Sequence, residues 1–222
     1  MSMADPSTYL APITAELVTA WPANRIINIV CHGHSVPAGY FRTPVVDTLG
    51  AYPHQVLVGL KERYPNAVIN VIVTAIGGED SESGQRRFEQ QVLCHRPDLV
   101  IIDYATNDRH IGLERAGKAW TAMIRSAKSH GAKVMLMTSA HELHSHGHIP
   151  PQDAELRRQD HCQLVRTLAT AEAVALADTD RSYALYLEHG GAILDLLSQV
   201  NHPNRQGHAL IARDILRWFF CA

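Results

Sequence analysis

Short apolar runs alternate along the chain with longer segments in which apolar positions recur at helical spacing. The short runs lack the polar alternation of a strand with one face in water, which is typical of strands buried on both faces. The pattern therefore predicts five buried strands. They cover residues 26–31, 68–74, 98–103, 133–138 and 174–178.

Between the short runs, apolar residues lie three or four positions apart, which indicates amphipathic helices. Strands that alternate with helices build a parallel sheet covered by helices on both faces. We therefore expect one domain over residues 1–222, an α/β protein folded as a three-layer α/β/α sandwich around a five-stranded, mostly parallel sheet. The predicted helices are 44–64, 82–94, 112–130, 152–173 and 205–219.

Composition and charge exclude several classes of function. The formal net charge is −2 and no basic block occurs, which disfavours binding to nucleic acid. Residues 1–25 lack the pattern of a signal peptide, and no apolar run approaches the ~20 residues that span a bilayer. The four cysteines are scattered, which favours reduced thiols. We expect a cytoplasmic protein without membrane contact; a homo-oligomer stays open.

Glycine and polar residues follow the predicted strands where they end. Ligands of parallel α/β sheets bind at the carboxyl ends of the strands, so we expect these residues to converge on one site. They are Gly33, His34 and Ser35; Gly77, Gly78 and Glu79; Thr106, Asn107 and Asp108; His141; and, ahead of the last helix, Asn201 to Asn204.

Four of these residues form the inventory of acyl transfer. Ser35 offers a hydroxyl nucleophile, His202 a general base, and Gly78 and Asn107 offer donors for an oxyanion. Taken singly, each has a plain structural interpretation: a turn serine, a turn glycine, a helix cap and a surface histidine. Because all four occur at ends that should converge, we favour catalysis.

The same residues resemble the sequence blocks of the SGNH hydrolases, also called GDSL-type esterases and lipases. The matching segments are GHSVPAG (33–39), AIGGEDS (75–81), ATND (105–108) and NHPN (201–204). The resemblance implies a flavodoxin-like SGNH hydrolase fold, with Ser35 as nucleophile and His202 as base. It also implies an oxyanion site made by Ser35, Gly78 and Asn107, and no metal or organic cofactor.

Three positions depart from the family pattern. His34 replaces an aspartate, Ala105 replaces a glycine, and Gln199 stands three positions before His202, where the family has the acid of its triad. Loss of that carboxylate costs serine proteases about 10⁴ in turnover. We expect a Ser–His dyad in which a neutral oxygen near Gln199 replaces the acid. The alternative is a weak or inactive relative that acts as a ligand- or carbohydrate-binding module.

The resemblance is to compact members without a lipid-binding insertion, which favours a small-molecule ester as substrate. We expect hydrolysis of small O-acyl esters through an acyl-enzyme, with an acetylated carbohydrate as the first candidate. Thioesterase and lysophospholipase activities stay open. The residues predicted to contact substrate are His34, Glu79 and His141.

A histidine-rich segment follows the fourth predicted strand. Histidine is a frequent metal ligand, but Glu142 is the only carboxylate near these rings. We therefore expect substrate contact or a solvated loop, and no metal. The cluster consists of His141, His144, His146 and His148.

Overall fold

The computed structural model describes residues 3–143 and 151–220. A five-stranded sheet lies at its centre, and all of its neighbouring strands are parallel, in the order β2-β1-β3-β4-β5. A short antiparallel pair precedes the last helix. The strands are β1 Ile26–Gly33, β2 Val68–Val73, β3 Leu99–Asp103, β4 Lys133–Met137, β5 Ala175–Ala177, β6 Leu197–Gln199 and β7 His202–Pro203.

Helices connect the strands in the expected alternation. Short 3₁₀ turns occur at Leu93–His95, Asn107–His110 and Ile193–Asp195. The α-helices are α1 Ala11–Leu17, α2 Ser35–Ala38, α3 Tyr52–Arg63, α4 Ser81–Gln91, α5 Leu113–Ser129, α6 Pro151–Ala171, α7 Thr179–Glu188 and α8 Arg205–Phe220.

Side chains of the central strands alternate between two apolar cores, one on each face of the sheet. In β3, Leu99 and Ile101 pack on the side of α1, α3 and α8, whereas Val100 and Ile102 pack on the side of α4, α5 and α6. A strand buried on both faces has to be apolar at every position, which is the pattern of its sequence. The three-layer α/β/α sandwich is therefore confirmed.

Two sequence predictions of local structure were wrong. The predicted helix 44–64 begins only at Tyr52, because turns occupy the preceding residues and Gly50 N donates to Asp47 O at 3.1 Å. The strand predicted at 68–74 is not buried on both faces. It forms the edge of the sheet, where Val68 and Val73 remain exposed.

Gly33, the last residue of β1, lies beside the end of β3. A Cβ atom there would sit 2.4 Å from the Asp103 carbonyl oxygen. Only glycine permits this approach of the two backbones. The turn that follows β1 is thereby placed directly over the end of β3.

No helix in the described residues is both long and apolar enough to cross a membrane.

Candidate active site

Ser35 stands in the sharp corner where β1 turns into α2. It is the first residue of this four-residue helix, and His34 caps the helix by accepting from Val36 N at 3.3 Å. The N–H groups of a helix's first turn have no partner within the helix. The corner therefore presents both the Ser35 hydroxyl and the Ser35 N–H at the carboxyl edge of the sheet.

His202 approaches Ser35 from the β6–β7 hairpin. Its Nε2 atom lies 3.0 Å from Ser35 Oγ, which is hydrogen-bond distance. Asn204 fixes the chain just after it, because its side-chain oxygen accepts from Gln206 N and Gly207 N and so caps α8. Residues 167 positions apart in sequence thus form a hydroxyl–imidazole contact.

Gly78 and Asn107 border the same space. Gly78 has φ of 81°, a conformation that glycine adopts at no steric cost. The Asn107 side-chain amide donates to the Glu79 carbonyl oxygen at 2.9 Å. An amide nitrogen carries two protons, so this bond orients the group and leaves one proton for the cavity.

The cavity beside these groups has a volume of about 370 Å³. Among its lining residues in the described parts of the chain, His202 is the only side chain that can carry a charge near neutral pH. The site is therefore polar but nearly uncharged. Its lining residues are Ser35, Tyr40, Thr43, Gly77, Gly78, Asn107, Gln199, Asn201 and His202.

A buried network supports the turn that carries Gly78. Arg87 binds the Glu79 carboxylate through two nitrogens, and Tyr104 donates its hydroxyl to Glu79 at 2.7 Å. His32 Nε2 lies 3.1 Å from the Tyr104 hydroxyl. Burial, with Arg87 nearby, lowers the pKa of His32 to about 3, so the ring is neutral. The network holds the Glu79 carbonyl that orients Asn107.

None of the three side chains predicted to contact substrate lines this cavity. The Glu79 carboxylate is held by Arg87 and Tyr104. His34 is only 1% exposed and lies beneath Ser35. His141 follows β4, which β3 separates from β1. It therefore borders a separate cavity, where it contacts Asp180 at 3.0 Å.

Of the histidine-rich cluster, His141 lies among the described residues. His144, His146 and His148 lie outside the described residues. Within residues 3–143 and 151–220, no three His, Cys, Asp or Glu side chains are grouped so that they could hold a metal ion.

Gln199 and Asp195 are both engaged away from the role of a triad acid. Gln199 Oε1 accepts from Thr43 N at 3.0 Å and so ties the hairpin to the loop after Ser35. The Asp195 carboxylate accepts from the Tyr186 hydroxyl and from Ala192 N. Asp108 accepts from Ser81 N at 2.7 Å and so binds the start of α4.

Sequence reasoning missed several residues of the site. Tyr40 and Thr43 line the cavity from the segment after α2, which carries no periodic signal. Asp103 lies directly beneath the corner, with its carboxylate 3.3 Å from His34 Nε2. A signal for Asp103 existed, since it is a carboxylate at the end of an otherwise apolar strand.

Comparison with known proteins places these residues in context. Residues 31–210 match the model of the GDSL-like lipase/acylhydrolase family. No curated protein sequence matches the chain.

Several solved structures share the fold. Axe2, an acetylxylan esterase from Geobacillus stearothermophilus, has a TM-score of 0.70 at 19% identity, over 91% of this chain and 95% of that chain. A two-domain esterase active on acetylated mannans, CEX, has a TM-score of 0.74 at 21% identity, over 99% of this chain and 54% of that chain. TesA has a TM-score of 0.66 at 19% identity, over 86% of this chain and 97% of that chain.

Catalytic mutants of Axe2 replace a serine, an aspartate or a histidine by alanine. In that enzyme the aspartate lies three positions before the histidine. The corresponding spacing in this chain is that of Gln199 and His202.

Proposed function

The chain belongs to the GDSL-like lipase/acylhydrolase family and is a carboxylic ester hydrolase, and from this premise we propose that Ser35 is its nucleophile and His202 its general base. The observation that carries the proposal is the 3.0 Å contact between Ser35 Oγ and His202 Nε2 at the wall of an uncharged cavity. A nucleophile and base within hydrogen-bond reach are what covalent acyl transfer requires.

In the first half-reaction Ser35 Oγ attacks the acyl carbon and its proton moves to His202 Nε2. The carbonyl oxygen becomes an oxyanion, which accepts hydrogen bonds from Ser35 N–H, Gly78 N–H and the free amide proton of Asn107. The tetrahedral intermediate collapses, the bond to the alcohol breaks, and His202 returns the proton to the leaving alkoxide oxygen. The product of this half-reaction is an ester between the acyl group and Ser35.

In the second half-reaction water attacks the acyl carbon while His202 Nε2 takes one of its protons. The same three donors stabilise the second oxyanion. The bond to Ser35 Oγ then breaks, His202 returns the proton to Oγ, and the carboxylic acid leaves. One water is consumed for each ester cleaved.

The substrate we propose is a small O-acyl ester of a polar alcohol, with an acetylated carbohydrate as first candidate. The cavity volume of about 370 Å³ suits a short acyl group. Gln199, Asn201 and Thr43 offer neutral hydrogen-bonding groups that suit hydroxyls better than a charged headgroup. Axe2 is an acetylxylan esterase and CEX is active on acetylated mannans, which agrees with this choice.

The decisive experiment combines Ser35→Ala with a fluorophosphonate probe. An activated serine reacts covalently with the probe, so the parent should be labelled at Ser35 and the variant should be unlabelled and inactive. A variant that still hydrolyses p-nitrophenyl acetate at close to the parental rate would remove Ser35 from the mechanism. A parent that is neither labelled nor active would favour a binding module.

A series of p-nitrophenyl esters tests the substrate. We expect kcat/KM to be highest for the acetate and to fall as the acyl chain lengthens. A maximum at long chains, or strong activity on acyl thioesters or lysophospholipids, would assign the site to those substrates instead.

A further inference from the structure

Ser35 has a second imidazole beside it. His34 Nδ1 lies 3.4 Å from Ser35 Oγ, on the opposite side from the cavity. Because His34 is only 1% exposed, it can touch no substrate. Any effect that it has on the reaction must act through Ser35.

The contacts of His34 fix which ring nitrogen carries the proton. Val36 N donates to Nδ1 at 3.3 Å, so Nδ1 holds a lone pair and the proton of the neutral ring lies on Nε2. Nε2 lies 3.3 Å from Asp103 Oδ1, within ion-pair distance although without the alignment of a hydrogen bond. Nε2 therefore lies beside a carboxylate.

Asp103 is placed there by the sheet. It is the last residue of β3 and stands in register with Gly33, the residue directly before His34. Its side chain is only 3% exposed, and burying a carboxylate is costly unless a polar partner compensates it. Within the described residues neither Asp103 Oδ2 nor His34 Nε2 has a hydrogen-bond partner, and the two side chains are each other's neighbours, with Nε2 3.3 Å from Oδ1.

We propose that His34 and Asp103 form a positioning pair for the nucleophile, an inference that rests on the proposed role of Ser35. The Asp103 charge favours the proton of His34 on Nε2, so Nδ1 keeps the lone pair that accepts from Val36 N–H and fixes the first turn of α2, which presents Ser35. The imidazole and its neighbouring carboxylate thus lie directly beneath the turn that carries Ser35. His202 remains the base because its contact with Ser35 is the shorter one.

The pair also explains one departure from the family pattern. An aspartate at position 34 could cap α2 with its own oxygen, as His34 Nδ1 does. A histidine brings a second nitrogen into a buried space, and that nitrogen needs an acceptor. The Asp103 carboxylate lies 3.3 Å from that nitrogen, so the residues at 34 and 103 should be coupled.

A double-mutant cycle tests this coupling. His34→Asn keeps an oxygen that can accept from Val36 N–H but is too short to reach Asp103. Asp103→Asn removes the charge with little change of shape. We expect each variant to lower kcat and the rate of fluorophosphonate labelling by roughly 10- to 100-fold, the scale of hydrogen bonds to charged groups, with KM little changed. The double variant should lose no more than the more impaired single variant.

Asp214→Asn is the matched control. Asp214 is also a buried carboxylate and accepts from Ser182 Oγ at 2.7 Å, but it lies outside the cavity lining. It should lose stability without a change in kcat. Losses that add in the double variant, or an unchanged kcat in either single variant, would overturn the pair.

If Asp103→Asn does not fold, a comparison of two substitutions at His34 still tests the proposal. His34→Gln reaches further toward Asp103 than His34→Asn, so it should retain the higher kcat; equal values would contradict the proposal. An active Ser35→Ala variant would refute the proposed function itself. Additive losses together with an inactive Ser35→Ala variant would refute only the pair.

Discussion

Two polar regions lie at the carboxyl edge of the sheet, and they differ in how their charges are used. The region around Ser35, at the ends of β1, β2 and β3, has a nearly uncharged cavity of about 370 Å³. The region around Asp180, beyond β4 and β5, has a cavity of about 450 Å³ whose lining is rich in charged side chains, among them Arg158 and Arg166.

In the Asp180 region the charged groups bind one another. Asp180 accepts from Arg158 and from Arg166, each at 2.6 Å, and it contacts His141 at 3.0 Å. Burial alone would raise the pKa of Asp180, but the bonds from His141, Arg166 and Arg158 outweigh burial and hold that pKa well below its ordinary value. The bonds from Arg158 and Arg166 to Asp180 therefore hold α6 against the start of α7.

In the Ser35 region the polar groups face open space instead. The Ser35 hydroxyl and the His202 imidazole contact each other at 3.0 Å, the Asn107 amide is oriented by the Glu79 carbonyl, and all three line the cavity. Polar residues at strand ends are thus not sufficient evidence of a reactive site. The two regions differ because the charged side chains around Asp180 pair with one another, whereas the polar groups around Ser35 line an open cavity.

Asn107→Ala in the Ser35 region should lower kcat far more than a comparable substitution in the Asp180 region. Removing one oxyanion donor costs about 10²–10³ in kcat, and KM should change less because the charge develops only in the transition state. Steady-state kinetics on p-nitrophenyl acetate measure both. Gln159→Ala, a neutral amide removed from the Asp180 cavity, is the control and should leave kcat unchanged. A loss confined to KM would assign Asn107 to substrate binding.

The order of the strands explains why the sequence predicted one region and not the other. Ser35, Gly78, Asn107 and the chain before α8 could be brought together from sequence alone, since parallel strands end at one edge. The sequence does not reveal that β4 and β5 lie away from β1 and β2. His141 was predicted to lie with Ser35, whereas it borders the Asp180 cavity.

Contacts between side chains account for most of what the sequence could not predict. The approach of Asp103 to His34 depends on the register of β1 with β3, and the hold of Arg87 on Glu79 depends on how α4 packs. The short helices α1 and α7 were also missed, because each is only two or three turns long and buries few apolar residues. Long buried elements such as β3 and α5 were predicted within a residue or two.

Asp180→Asn tests the structural role of the second region. It removes a carboxylate that both Arg158 and Arg166 bind. Breaking a buried ion pair destabilises a protein by roughly 3–4 kcal/mol. Urea denaturation should report a loss of that size, whereas kcat on p-nitrophenyl acetate should stay near the parental value. Glu155→Gln, at a far more exposed partner of Arg158, should cost much less. A large fall in kcat without a loss of stability would make this region part of the active site.

His208 and Asp180 should make the free energy of unfolding depend on pH in two different pH ranges. Burial, with His202 nearby, lowers the pKa of His208 from 6.5 to about 4, and its Nδ1 accepts from Tyr52 N at 3.2 Å. Because the folded pKa is the lower one, the unfolded chain binds the proton first. Stability present above pH 6.5 is therefore lost as the pH falls toward 4, by roughly 2–3 kcal/mol.

Asp180 acts in a lower window. Its folded pKa lies below the ordinary 3.8, so its contribution is present above that pH and is lost only as the pH falls further. His208→Asn, which keeps an acceptor for Tyr52 N, should flatten the curve of unfolding free energy between pH 6.5 and 4. An unchanged curve between these values would mean that His208 is not held neutral.

The smallest effects are expected at Asp195 and Gln199, two hairpin-side residues whose oxygens are already bound elsewhere. The Asp195 carboxylate is bound by Tyr186 and Ala192, so Asp195→Asn should change kcat little. Gln199 binds Thr43 N through an oxygen, and Gln199→Asp can keep that acceptor while adding a charge beside the hairpin. It should therefore keep or raise kcat, since a carboxylate stabilises an imidazolium better than a neutral oxygen does. Gln199→Leu separates the two roles, because it removes the tie to Thr43 and should raise KM more than it lowers kcat. A loss of about 10⁴ in Asp195→Asn, the cost of removing a triad carboxylate, would instead make Asp195 the acid and the enzyme a triad.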